Sequence, residues 1–385
     1  MLRLFLILCF SLNVGGAMAQ EQQAKLLPYR EQGLQEAIRR YEAIVKSDSW
    51  HSFPDTLLLK PGDSSRYVLP LQENLVLTGD LHLNDVADSA LYVPAVAAAV
   101  KRFQKRHGLV TDGIVGPNTV AALNVPPATR LWQLQRSLSR WSSHGTDTLQ
   151  QYVVINIPDY TLHLIDSGRV ELQMRVILGK PALKTYPVVS ELNMVVLHPY
   201  WYVPTSIAVN EIVPILRRNP GYLSRKGMRL EEQTSRGWQS VSPWQVDWSS
   251  INSANFNYRI VQLNGSQNEL GQVKFPFPNR IAQYLHDTPG KELFNYPKRA
   301  FSHGCIRVEK PVELAYYLLE RGSGYSVKKV ERLWRRQKPN HYIQVRNPVP
   351  LYIIYLTAWM DENLQVQFRE DVYGYDQPPQ QLTKE

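Results

Sequence analysis

Cysteine is almost missing from this sequence: 385 residues hold two, Cys9 and Cys305. That scarcity excludes a disulfide-stapled fold and a cysteine-rich zinc site. Histidine is sparse too, and none of the nine falls in the His-Glu-x-x-His helical pair of a zinc peptidase. No metal site and no cofactor are expected. Beyond the first twenty residues no apolar run is long enough for a membrane helix; Leu351 to Met360 is strand-sized.

Another short apolar run is N-terminal. Arg3, the stretch Leu4 to Leu12 and Ala17-Met18-Ala19 read as a secretory signal peptide over residues 1–19, and the expected location is outside the cytoplasm. Cleavage there removes Cys9 and leaves Cys305 unpaired. In an oxidising compartment a lone thiol is a liability unless it has chemical work, so Cys305 becomes a candidate nucleophile. Cleavage also takes Arg3, leaving 42 basic against 34 acidic side chains. An exported basic protein is drawn to anionic wall polymer or membrane surface before nucleic acid.

What is present divides the chain. Residues 20–65 form a helical scaffold segment, with Leu34, Ile38, Tyr41 and Val45 at helical spacing over Gln32 to Lys46. Residues 66–125 are compact and helical: Val68, Leu71 and Leu75 mark one helix, Pro94 opens a second that Gly108 stops, and Val120 and Leu123 mark a third. Pro126-Pro127 begins a linker and connecting helix over 126–151, striped by Leu131, Leu134, Leu138 and Trp141. From residue 152 to 376 the chain is strand-rich. Val153 to Ile157, Thr161 to Ile165 and Val170 to Leu178 are strands, the last two joined by the Asp166-Ser167-Gly168 turn. Met194 to Leu197 is another strand, and Leu351 to Trp359 with Val366 to Arg369 a closing hairpin. Residues 205–262 interrupt that rhythm with a helix at Ile207, Val213 and Leu216 and with Trp238, Trp244 and Trp248 in loop-like surroundings. They are expected to be a capping insertion. Helices follow at Pro311 to Gly322 and Val327 to Lys338, and residues 377–385 form a polar tail.

The chemistry concentrates between His286 and Arg307. Ser302-His303-Gly304-Cys305 has the composition of an exposed turn, where Gly304 lets backbone amides approach a ligand and the Gly304 and Cys305 amides are candidate oxyanion donors. A thiol also needs help in ionising. His303 and His286 compete for the role of base. His303 is near in sequence but its side chain points away two residues before the thiol, whereas His286 ends a strand-like run nineteen residues upstream.

Two resemblances sharpen this reading. Phe103-Gln104 with the Leu109, Asp112-Gly113, Gly116 and Thr119 pattern resembles the three-helix peptidoglycan-binding module of wall enzymes. His286, fifteen intervening residues, then Ser302-His303-Gly304-Cys305 resembles the signature of the L,D-transpeptidase family with its YkuD domain. Tyr284-Leu285-His286-Asp287-Thr288-Pro289 and Arg307, two residues beyond the thiol, are similar to the YcbB-like branch. The resemblance implies an α+β multidomain protein: a mainly-β catalytic domain with flanking helices and a capping insertion, plus an all-α module. It implies a periplasmic enzyme in which Cys305 is the nucleophile and His286 the general base and acid. The reaction would be acyl transfer from a tetrapeptide stem, with release of D-alanine, to the side-chain amine of another stem, giving 3→3 cross-links. Carbapenems would acylate the thiol. Ser302, His303 and Gly304 would shape the nucleophile loop, and Arg307, Tyr284 and the Asp287 side chain the substrate pocket. Many relatives orient the histidine with a serine or a backbone carbonyl, and Asp287 stands at that place here. The same fold would also serve an L,D-carboxypeptidase or the attachment of another amine to the wall; a non-catalytic wall-binding protein is the remote alternative. Expected partners are peptidoglycan stems and glycan, with no nucleic acid and no membrane anchor after cleavage.

Overall fold

The computed structural model describes residues 31–86, 90–143, 150–361 and 363–377. The signal segment, the scaffold segment before residue 31 and the polar tail beyond residue 377 lie outside the described residues.

Helices α1 (Glu31–Ser47) and α5 (Pro127–Ser142) lie against each other and against the hairpin of β14 (Ala358–Met360) and β15 (Val366–Phe368). Their apolar stripes supply Leu34, Ala37, Tyr41, Ile44 and Leu134, which close over Ala358, Met360 and Phe368. Between them α2 (Val68–Leu77), α3 (Pro94–Arg106) and α4 (Pro117–Leu123) bury Leu71, Leu75, Tyr92, Val96, Val100 and Phe103 in a core of their own. Proline at the first turn of α3, α4 and α5 costs no hydrogen bond, since those amides have no partner inside the helix. Gln104 pins the glycine-rich loop of this module: it accepts from Gly113 N and donates to the Ile114 carbonyl, at 2.8 and 2.9 Å.

The module is fastened to the rest of the chain. Arg369 donates to Asp159 Oδ1 at 2.9 Å and to the Arg106 carbonyl at 3.0 Å. The His107 ring stacks between Phe103 and Phe368, with centroids 3.9 and 5.4 Å away.

The strand-rich part forms one nine-stranded sheet, ordered β11-β3-β12-β10-β9-β4-β13-β1-β2, and a further β2–β3 pairing returns it onto itself. Its strands are β1 (Gln151–Asn156), β2 (Thr161–Asp166), β3 (Arg169–Gly179), β4 (Val188–Leu197), β9 (Val273–Pro276), β10 (Tyr284–His286), β11 (Ala300–Ser302), β12 (Ile306–Val308) and β13 (His341–Ile354). Ser167 and Gly168 both have positive φ, which fits the β2–β3 turn to the strand twist. Inside lie Val153, Leu162, Val176, Phe275, Leu285 and Ile306, covered at one end by Leu314, Ala315, Leu318 and Leu319 of helix α6 (Pro311–Glu320). Helix α7 (Val327–Arg335) adds Val330.

Two expectations are corrected. Leu351 to Ile354 is not part of a terminal hairpin; it is the end of the fourteen-residue β13, parallel to β1 and antiparallel to β4. A register shift between Gln344 and Val349 lets Pro348 sit in that strand without breaking the ladder. The insertion is not loop-like at Trp238 either, although Trp244 and Trp248 stand outside its strands as expected. It carries its own sheet, ordered β5-β8-β6-β7, from β5 (Trp201–Tyr202), β6 (Met228–Thr234), β7 (Gly237–Val241) and β8 (Tyr258–Gln262). Trp238 lies on β7, and Trp248 is buried with Leu216, Leu223, Leu230 and Ile260.

Candidate active site

The site is built by alternation on two short strands. β10 and β12 run parallel in register Leu285 with Ile306 and His286 with Arg307. Successive side chains of a strand point to opposite faces. Leu285, Ile306 and Val308 are fully buried in the sheet core, so Tyr284, His286, Cys305 and Arg307 share the other face. Antiparallel β9 adds to that face by placing Lys274 opposite His286. A cross-strand row Lys274–His286–Arg307 thus lies beside a row containing Tyr284 and Cys305. The Lys274 ammonium sits 3.8 Å from the centre of the Tyr284 ring, and the Tyr284 and His286 rings are 5.5 Å apart.

His286 is 5% exposed and its Nδ1 is 2.5 Å from the Asp287 carbonyl oxygen. A carbonyl only accepts, so Nδ1 carries the proton and Nε2 the lone pair. Burial pushes the imidazole pKa down to about 3, the Arg307 and Lys274 charges push the same way, and the Asp287 and Glu269 carbonyls oppose them. Burial raises the Cys305 thiol pKa, and hydrogen bonding from Tyr284 with the charges of Lys274 and Arg307 partly offsets that. Burial thus works against charge on both the Cys305 thiol and the His286 ring. Burial raises the Tyr284 phenol as well; its hydroxyl interacts with the Cys305 sulfur and the Trp201 side chain. Burial also lowers the Lys274 pKa, against the pull of Cys305.

The loop from Ser302 to Cys305 is held by side chains of its own and of Thr185. Ser302 Oγ donates to the Cys305 carbonyl at 2.5 Å and accepts from Gly304 N at 3.1 Å. Thr185 donates to the Gly304 carbonyl at 2.8 Å and accepts from Gly179 N at 2.9 Å. Gly304 has φ +111°, a conformation open to glycine, and a Cβ there would lie 3.3 Å from the Lys184 carbonyl oxygen. Because the Gly304 amide is already bonded, it is not the free oxyanion donor expected; of the expected pair the Cys305 amide remains.

Two other expected residues point elsewhere. His303 Nε2 meets Glu211 Oε1 of the insertion at 2.5 Å. Glu211 stands on a widened helical turn, Ala208–Ile212, just before Pro214, whose ring and missing N–H disfavour a regular helix there. The Asp287 carboxylate accepts from Gln272 N, Thr288 N and Lys291 Nζ at 2.8, 2.7 and 2.6 Å. It fastens the strand ends. The carbonyl of the same residue, not its carboxylate, meets His286. Arg307 remains on the site face, and its Nε is buried without a hydrogen-bond partner among the described residues. The insertion's Arg217 is spent internally on the Trp248 and Ile251 carbonyls. Lys274 and Trp201 were not singled out from sequence. Among the described residues no cluster of His, Cys, Asp and Glu is arranged to hold a metal.

Comparison with known proteins gives this site a class. Residues 150–331 match the family described as L,D-transpeptidase catalytic domain, YkuD, and residues 67–123 match the one described as "Putative peptidoglycan binding domain". The chain carries a YkuD L,D-transpeptidase catalytic domain preceded by a peptidoglycan-binding domain. A protein of Haemophilus influenzae named "Putative L,D-transpeptidase" is 36% identical over 224 residues, 58% of this chain and 44% of that protein. The chain thus spans less than half of that relative's length. Among solved structures, the L,D-transpeptidase of Xylanimonas cellulosilytica is 16% identical with a TM-score of 0.24, over 79% of this chain and 100% of that one. The L,D-transpeptidase of Stackebrandtia nassauensis is 12% identical with a TM-score of 0.25, over 79% and 97%. Likenesses this slight bear on neither fold nor chemistry.

Proposed function

We propose that the chain is an exported peptidoglycan L,D-transpeptidase that works in the periplasm with a cysteine nucleophile. The observation that carries this reading is the pairing of Tyr284 and His286 with Cys305 and Arg307 on one face of neighbouring parallel strands, inside the domain matched to that family.

Cys305 attacks the carbonyl of the third residue of a tetrapeptide stem while His286 Nε2 takes the thiol proton. The imidazolium returns that proton to the departing D-alanine amine, leaving a thioester on Cys305. The side-chain amine of a second stem then attacks the thioester, His286 accepts its proton, and collapse restores the thiol with a 3→3 cross-link formed. A neutral imidazole suits this sequence, because its lone pair is available before the thiol ionises. The Cys305 amide is the oxyanion donor, a contact of a kind worth about 3 kcal/mol of barrier. Arg307 shapes the donor pocket and, with its unpartnered Nε, suits a carboxylate of the stem. The insertion excludes water from the thioester, and the helical module tethers the enzyme to the wall.

Digestion of wall from cells producing the chain tests this reading. It predicts new 3→3 linked dimers that disappear with Cys305→Ala. Tripeptide stems without dimers would favour the carboxypeptidase, and an unchanged wall would leave only a wall-binding protein.

A further inference from the structure

Neither motif reading nor family comparison gives Lys274 a part, yet it stands in the middle of the site face. It is the cross-strand partner of His286, and its ammonium lies on the Tyr284 ring whose hydroxyl interacts with the sulfur. Lysine side chains are costly to bury, and at exposed positions a salt bridge or water is the usual company. Here a half-buried lysine has an aromatic face for its ammonium and no carboxylate: among the described residues it makes no ion pair. The Asp287 carboxylate, on the residue after His286, is committed to Gln272, Thr288 and Lys291. A cation held without a counter-ion beside a nucleophile is placed for charge that appears only during reaction.

Resting on the reading of Cys305 as nucleophile, we propose that Lys274 is the positioning residue that supplies positive charge to the Cys305 sulfur as its proton leaves, acting across the Tyr284 ring. The proton goes to His286 Nε2, and the electron pair left on sulfur forms the bond to the carbonyl carbon. An ammonium over a ring face draws density from it and makes the phenol O–H a stronger donor to that sulfur. Lys274 also keeps its neighbour uncharged, since two cations opposite each other across a ladder repel. The groups facing the sulfur and the imidazole are then Lys274 from β9, Tyr284 from β10 and Arg307 from β12, with the Asp287 and Glu269 carbonyls on the ring.

The test is the pH profile of Cys305 alkylation by iodoacetamide in the full chain, for wild type, Lys274→Met, Lys274→Gln and Lys274→Arg. Either neutral variant, whichever folds, should move the midpoint of thiol reactivity up by about one pH unit, and Lys274→Arg should bring it back. A purely structural lysine would alter thermal stability and leave the midpoint in place. An unmoved midpoint in a folded neutral variant overturns the inference, and so does a midpoint that Lys274→Arg fails to restore. Failure of the underlying reading looks different: a carbapenem would then leave the wild-type Cys305 unacylated, whatever the alkylation profile.

Discussion

His286 gives its Nδ1 proton to the main-chain carbonyl of Asp287, the residue next to it, across 2.5 Å. The contact sets the tautomer and leaves Nε2 as the only basic nitrogen, so the orienting group of this pair is backbone and cannot be removed by substituting a side chain. Burial then keeps the ring neutral, with its pKa down to about 3.

Acid should weaken the fold through this ring and one other. Burial also lowers the pKa of His107 between its two phenylalanines. Both histidines are neutral when folded and take a proton when unfolded below an ordinary histidine pKa of about 6.5. The unfolded chain binds more protons there, so stability is complete above that pH and falls as pH drops toward 3. The slope should reach about 1.4 kcal/mol per pH unit for each histidine. Urea midpoints measured at neutral pH and near pH 5 should differ in wild type, and the difference should shrink in His107→Gln. A midpoint independent of pH would contradict the assignment.

The Asp287 carboxylate should matter for stability more than for chemistry. Asp287→Ala leaves two backbone amides and Lys291 without their acceptor, at a cost of about 1–3 kcal/mol. Thermal denaturation should show that loss while the pH profile of Cys305 acylation keeps its shape. A displaced profile with unchanged stability would give the side chain the orienting role after all.

Gly304 should resist any side chain. With φ +111° and the Lys184 carbonyl 3.3 Å from a new Cβ, Gly304→Ala strains the loop by about 1–3 kcal/mol. The strain falls on the residue before the nucleophile, so carbapenem acylation should slow at least about tenfold even if the fold survives. Wild-type acylation in Gly304→Ala would show that the loop tolerates a Cβ.

The His303–Glu211 contact ties the Ser302–Cys305 loop to the insertion. Half-exposed pairs of this kind contribute at most about 1 kcal/mol to stability. Glu211→Gln should therefore leave thermal stability close to wild type while more of the acyl-enzyme is lost to water. The ratio of hydrolysed to cross-linked product measures this; an unchanged ratio removes the insertion from water exclusion.

Periodicity and turn chemistry made much of this legible in advance. The helices of the module, the α1 and α5 stripes and the β2–β3 hairpin follow from spacing and turn residues alone. His286 and Cys305 were legible because their side chains belong to a spaced motif. The rest was hidden for identifiable reasons. β9 is four residues ending at Pro276, too short to show alternation, so Lys274 carried no signal; its partnership with His286 exists only once β9 and β10 pair. β13 contains Pro348 and Pro350, which read as breaks but fall at and just beyond a bulge. Strand β7 is exposed along nearly all its length and has no apolar face to reveal it. The group on His286 is a carbonyl, which every residue has and no sequence displays.

The central claim, that Cys305 is the acylated nucleophile with His286 as its base, is tested most directly by intact mass after incubation with a carbapenem. One added ligand mass is expected on the wild-type chain, mapped to the peptide containing Cys305. No added mass is expected on Cys305→Ala, and strongly slowed addition on His286→Ala. An adduct that persists on Cys305→Ala would contradict it.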